Sequence, residues 1–148
     1  EREPRIVMYL DTHAVLWLFE GSLDSFSSHA TALLEQENLL NEFIIFSKEY
    51  LKITEGTVEL LYTREKLVTT ASYGNKVVRV YVKDRALVDV MRSIAHELTH
   101  LRQDLQGRLN PKDFAKNNAE GSEIENEANS IAGILIRKFG KLHPEIYD

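Results

Sequence analysis

His96-Glu97-Leu98-Thr99-His100 sets two imidazoles four residues apart with a carboxylic acid beside the first. On a helix, residues i and i+4 lie one above the other on one face, about 6 Å apart, so both rings can reach a single metal ion. Glu97 then stands next to the open coordination position, placed to take a proton from a water on the metal. HExxH on a helix therefore predicts hydrolysis by metal-activated water. Zinc suits the set, because it accepts nitrogen and oxygen ligands and keeps a fourth position open in catalytic sites. His96 and His100 are the expected ligands and Glu97 the expected general base.

A catalytic zinc commonly has three protein ligands, so a third must come from elsewhere. The apolar run that begins near Gly121 and Ser122 carries Glu123, Glu125 and Glu127 in its first two turns. Glu125 has the best pattern: Ala128, Asn129 and Ala132 follow at i+3, i+4 and i+7 on its own face. The alanines would let the two helices approach closely, and Asn129 could hold a liganding histidine by its second ring nitrogen. A competing reading is local. Ser122-Glu123-Ile124-Glu125 is a capping box, in which Glu125 would bond back to the Ser122 amide. Glu127 is the other candidate ligand, though Ile131 at its i+4 offers no polar support.

The elements that must position these groups follow from periodicity. Leu87, Met91, Ile94, Leu98 and Leu101 recur at three- and four-residue steps and predict a helix over 86–104, with Asp84 as its N-cap. Asp89, Ser93, His96, His100 and Gln103 form a second, polar stripe on that helix. Ile124, Ala128, Ile131 and Leu135 predict a helix over 122–140. The remaining pattern reads as strand 5–10, helices 13–20 and 27–37, strand 42–46, helix 48–63 and strands 67–71 and 77–83. The segment 104–121, with Gly107, Asn110 and Pro111, bridges the two metal-bearing helices. The expected fold is α+β: a small sheet with several helices, and the zinc site between the two long C-terminal helices.

HExxH followed by Glu125-Asn126-Glu127-Ala128-Asn129-Ser130-Ile131-Ala132 resembles the gluzincin pattern HExxH…ExxA[ND]xxA, over about 42–148. It looks like the compact members, the ImmA/IrrE-type peptidases and HExxH proteins of phages and mobile elements. The run His96 to Gln103, with Gly107 soon after, is similar to the phage-type proteins in particular. Thermolysin-like enzymes also use HELTH with a later Asn-Glu-Ala, which would favour Glu127, but this chain is far too short for their architecture. The resemblance implies a zinc metallopeptidase acting on a peptide or protein substrate, with Glu97 as general base. For the oxyanion, His143 and Tyr147 are available. The strand over 77–82 could hold a peptide by strand addition, beside its plainer reading as a hairpin strand closed by Gly74-Asn75.

Residues about 6–40 resemble a different family, the opening βαα unit of PIN-domain ribonuclease toxins. Leu10-Asp11-Thr12-His13 carries the likeness, with Asp11 at the first acidic metal ligand. Such nucleases gather several carboxylates around magnesium or manganese. Glu49 stands at a plausible spacing for the second, and Asp84 and Asp89 fall in the segments leading into HExxH. The alternative functions are thus a divalent-metal ribonuclease using Asp11 and a zinc-binding module without turnover.

The 148 residues suffice for one compact domain, with a join between the two resemblances near 40–42. Apolar residues at 43% and charged residues at 28% are those of a globular chain, and a net charge of −5 argues against a nucleic-acid partner. With no cysteine, disulfides and thiolate metal sites are excluded. No run approaches the ~20 apolar residues of a membrane span and no signal-peptide pattern opens the chain, so no membrane partner is expected and the expected compartment is the cytoplasm.

Overall fold

The computed structural model describes residues 28–63, 69–113, 116 and 119–148. The expected strand 5–10, the expected helix 13–20 and Asp11 lie outside the described residues. In chain order the elements are α1 (Ser28–Leu51), β1 (Thr57–Leu61), β2 (Ala71–Gly74), β3 (Val77–Tyr81), α2 (Leu87–Leu105) and α3 (Glu123–Leu142). Short 3-10 turns lie at Pro111–Asp113 and Pro144–Tyr147. The fold is α+β, as the pattern predicted. The chain divides into two units between Glu42 and Phe43.

Of the first unit, the described part is the N-terminal half of α1, where Asn41 donates to Glu37 at 2.9 Å across one turn. The 42–46 run is helical, not the strand expected from its aromatic and β-branched residues. Glu37, Leu40, Phe43, Ser47 and Leu51 are all buried, at three- and four-residue steps. That spacing is the helical period, and it outweighs the strand propensity of five consecutive residues.

α1 stops where a second helix was expected to continue. Lys52 takes a left-handed conformation (φ 58). Its amide donates to the Glu49 carbonyl and that of Ile53 to the Lys48 carbonyl, at 3.1 and 3.0 Å, the bonding pattern of a Schellman cap. The expected helix over 48–63 is therefore replaced by the end of α1, a short connection and β1. Gly56 in that connection has φ +87, and a Cβ there would lie 2.3 Å from Leu101 Cδ2. Only glycine fits a left-handed backbone pressed so closely against α2.

The sheet order is β1-β3-β2. β3 pairs parallel with β1 in the register Thr57↔Val77 and antiparallel with β2 in the register Ala71↔Val80. Val78 and Val80 are fully buried. β3 is thus the central strand, so the segment over 77–82 has no free edge for a peptide, contrary to that expectation. The β2–β3 hairpin turns on Asn75 and Lys76, both left-handed (φ 51 and 60), the pair that a twist-matched two-residue turn requires. The turn lies one residue beyond the Gly74-Asn75 pair expected to close it.

α2 carries the buried stripe that its periodicity predicted: Met91, Ile94, Leu98 and Leu101 are fully buried. Its N-cap is Ala86, with no side-chain cap. Asp84, expected there, sits two residues earlier in a left-handed turn (φ 57). Arg85 performs the tethering, with guanidinium bonds to the Tyr81 carbonyl, the Asp89 carbonyl and the Ser93 hydroxyl. α2 packs against α3 on one side and against β2 and β3 on the other. In the second unit, Phe43 and Phe46 meet Phe139 of α3 edge-on, at centroid distances of 5.2 and 5.4 Å.

Candidate metal centre

The two histidines emerge from α2 on the face turned towards the start of α3. There Ala128 and Ala132, 0% and 1% exposed, leave no bulk between the helices. Ser122 caps α3 by accepting from the Glu125 amide at 3.2 Å. The reciprocal half of a capping box is not what the Glu125 carboxylate does. Its two oxygens lie 3.4 Å from His96 Nε2 and 2.9 Å from His100 Nε2. The two Nε2 atoms are 3.1 Å apart, with the rings nearly perpendicular at 84°. The structure thus brings His96, His100 and Glu125 together as a group that could hold a metal ion, its ligand atoms all within 4.8 Å of one another.

The protons of both rings follow from their neighbours. The amide nitrogen of Gln103 donates to the Ile124 carbonyl at 3.1 Å and to Glu127 at 2.7 Å. Its oxygen is therefore the atom that faces His100 Nδ1, 2.7 Å away, and Nδ1 must be the donor. His96 Nδ1 likewise donates to Asn129 Oδ1 at 3.0 Å. Both protons point away from the cluster. In the neutral rings, two nitrogen lone pairs and a carboxylate then converge with no hydrogen between them, an arrangement that attracts a cation. Burial first, and then the charge of His100, hold His96 below the ordinary histidine range and favour its neutral form.

Glu127, the other candidate ligand, is occupied elsewhere. It accepts from Gln103 and from Arg108 at 3.0 and 3.1 Å, with Arg102 3.8 Å away. Burial alone would raise its pKa, but these donors and positive charges outweigh it and hold the carboxyl below its ordinary value. Arg108 reaches Glu127 because α2 ends in a second Schellman cap. Gly107 is left-handed (φ 74), and the Arg108 amide donates to the Gln103 carbonyl at 2.8 Å. A chain of contacts thus runs from Arg108 through Glu127 and Gln103 to the His100 ring.

Glu97 lies beside the cluster on the wall of a cleft of about 690 Å³. Burial, and then the charge of Glu125, push its carboxyl up to about 7. Ala71, Ser72, Tyr73 and Gly74 of β2 form another wall, and Leu109 and Asn110 from the connection after α2 lie along the rim. No family model, curated protein or solved structure matches this chain. What the site can do is therefore argued from its own atoms.

The other expected residues fall apart from the cluster. His143 stacks on Phe139 at 4.4 Å, and Tyr147 lies over Gly140, where a Cβ would be 2.6 Å from the phenol oxygen. From Glu125 to Gly140 is about 22 Å along α3 at 1.5 Å per residue, so neither tail group faces the cleft. Glu49, Asp84 and Asp89 are exposed and belong to no metal-ligating group among the described residues. Sequence reasoning placed Gln103 on the polar stripe without its role, and missed Tyr73 and Asp104. The available signal was spacing: Gln103 and Asp104 stand three and four residues after His100, on its own face.

Proposed function

We propose that this protein is a zinc-dependent metallopeptidase of the compact gluzincin type, with His96, His100 and Glu125 as zinc ligands and Glu97 as general base. The observation that carries the reading is the convergence of two outward-protonated imidazoles and a carboxylate at 2.9–3.4 Å from one another. Ligands about 2.0–2.2 Å from a tetrahedral zinc stand about 3.3 Å apart, so the donor set and its spacing fit that ion. Bound there, zinc supplies Lewis acidity: it lowers the pKa of a water and polarises a carbonyl.

The chain's own residues supply the rest. Glu97 takes a proton from the attacking water and, on the same side of the cleft, can deliver it to the leaving amine. Asn129 and Gln103 hold the two rings in the tautomer that keeps Nε2 unprotonated. A peptide is the substrate class that the cleft walls favour. β2 is an outer strand of the sheet among the described residues and lines the cleft, so an extended chain can pair with its free edge. A cytoplasmic location belongs with this reading; no described helix is long and apolar enough to cross a membrane.

The test is metal content followed by turnover. Purified protein is expected to hold one zinc per chain, lost in His100→Ala and in Glu125→Gln but kept in Glu127→Gln and Glu97→Gln. The loaded wild type is expected to cleave a peptide library that loaded Glu97→Gln leaves intact. Zinc bound without any cleavage would make the site a binding module. No zinc after reconstitution would overturn the reading altogether.

A further inference from the structure

We infer that the cleft selects substrates carrying a positive charge close to the scissile bond, and that Asp104, oriented by Tyr73, is the residue that recognises it. The inference rests on the peptidase reading for the position of the scissile bond, but its physical basis is separate from the metal cluster. Among the described residues, the charged or titratable side chains that line the cleft are His96, Glu97, His100, Asp104, Glu125 and Tyr73. Three of these are the ligand group and Glu97 is the base. Asp104 is the carboxylate left over, and among the described residues the lining contains no lysine or arginine.

Its placement suits a recognition role. Asp104 follows His100 by four residues on α2, so it sits one helical turn, about 6 Å, beyond the ligand on the same face. A lysine or arginine side chain spans that distance from a residue next to the reacting carbonyl. The Tyr73 hydroxyl donates to Asp104 Oδ2 at 2.5 Å across 31 residues of sequence, joining the edge strand to the metal-bearing helix. That bond fixes the carboxylate and leaves Oδ1 for another donor, while the Tyr73 ring lines the same cleft. A carboxylate beside an aromatic ring is the pairing that receives a cation. Lys76, which feels the charge of Asp104 more weakly than that of Glu55, is exposed and is bound to Glu55 at 2.9 Å. The net charge of −5 favours the approach of basic peptides over acidic ones.

The positive group could be a side chain or the α-amino group of a peptide, and both present the same chemistry to Asp104. Binding to zinc-loaded, full-length Glu97→Gln protein separates recognition from turnover. The probes are fluorescent peptide pools of uncharged background with Lys, norleucine or Glu at the central position, each prepared both N-acetylated and with a free N-terminus. The Lys pool is expected to bind about tenfold more tightly than the norleucine pool. Adding Asp104→Asn, which keeps an acceptor for Tyr73, is expected to abolish that ratio at unchanged zinc content. Adding Asp104→Lys should turn the preference towards the Glu pool. If only peptides with a free N-terminus gain, and the gain vanishes in Asp104→Asn, the recognised cation is the α-amino group. Equal binding of all pools, or a Lys preference that survives Asp104→Asn, would overturn the inference. A Lys preference without cleavage by wild type would retain it and sink the peptidase reading instead.

Discussion

At the scale of single residues, the site works by controlling where protons are. Gln103 is wholly buried, and two acceptors at its amide nitrogen oblige its oxygen to face His100. Glu97 shows the opposite use of burial. Its carboxyl rises from 4.5 to about 7 through desolvation and then through Glu125. A carboxyl with a raised folded-state pKa binds its proton more tightly in the folded chain. Its stabilising contribution is therefore complete below about 4.5 and is lost as pH rises to about 7. In metal-free protein Glu97→Gln should accordingly melt higher than wild type at pH 8, by on the order of 2 kcal/mol after allowance for solvent screening. The gap should shrink as pH falls towards 4.5. Thermal denaturation in chelator across that range is the check, and a gap independent of pH would refute the assignment. Which glutamate faces the histidines also belongs to this scale. Glu125 and Glu127 differ by about 200° around the helix axis, so whichever faces the histidines, the other faces away. The sequence carried that alternative openly, and could not resolve it, because the rotation of α3 against α2 is set by packing between residues far apart in the chain.

At the scale of elements, α2 and α3 were legible because a buried stripe with a period of 3.6 is a local signal, repeated over five turns. Short elements were not. The run 42–46 resembles a strand over five residues, and its helical character appears only when Leu40, Phe43, Ser47 and Leu51 are seen to be buried together. β1 was read as helix because its pairing with β3 is a contact across 20 residues. The connection before β1 also determines how closely the sheet approaches α2. Gly56 meets Leu101, the residue directly after His100, and both its positive φ and the 2.3 Å approach exclude a side chain. Gly56→Ala should cost about 2–3 kcal/mol in urea denaturation, since a fully buried Leu101 has little room to yield. A loss below about 0.5 kcal/mol would show that the connection relaxes freely.

At the scale of the whole molecule, the proposed metal binding predicts a coupling to stability. His96, His100 and Glu125 come from two helices separated by the connection after Leu105, so an ion held by all three would bind the folded chain better than the unfolded one. With zinc at a hundredfold excess over its dissociation constant the gain is about 2.7 kcal/mol. For a chain of this size that corresponds to a rise of roughly 10 °C in Tm over protein in chelator. The rise should disappear in Glu125→Gln and persist in Glu127→Gln. Equal melting with and without zinc would mean that the cluster holds no ion in the folded state. The same scale bears on selectivity: a chain of net charge −5 with an acidic cleft wall draws basic ligands from a distance before any contact forms.

What the sequence determined alone is what depends on neighbours within a turn or two of helix. The two histidines share a face because they are four residues apart, Glu97 flanks them because it is adjacent, and Ser122 caps α3 because its side chain reaches the amide three residues on. Tertiary structure decided everything that needs two distant segments to meet. It chose Glu125 to face the histidines and gave Glu127 to Arg108 and Gln103. It put β3 in the centre of the sheet and β2 at the rim of the cleft, and it joined Tyr73 to Asp104. Periodicity says which face of an element is buried, but strand order and the rotation of one helix on another come from shape complementarity between surfaces that no local pattern encodes.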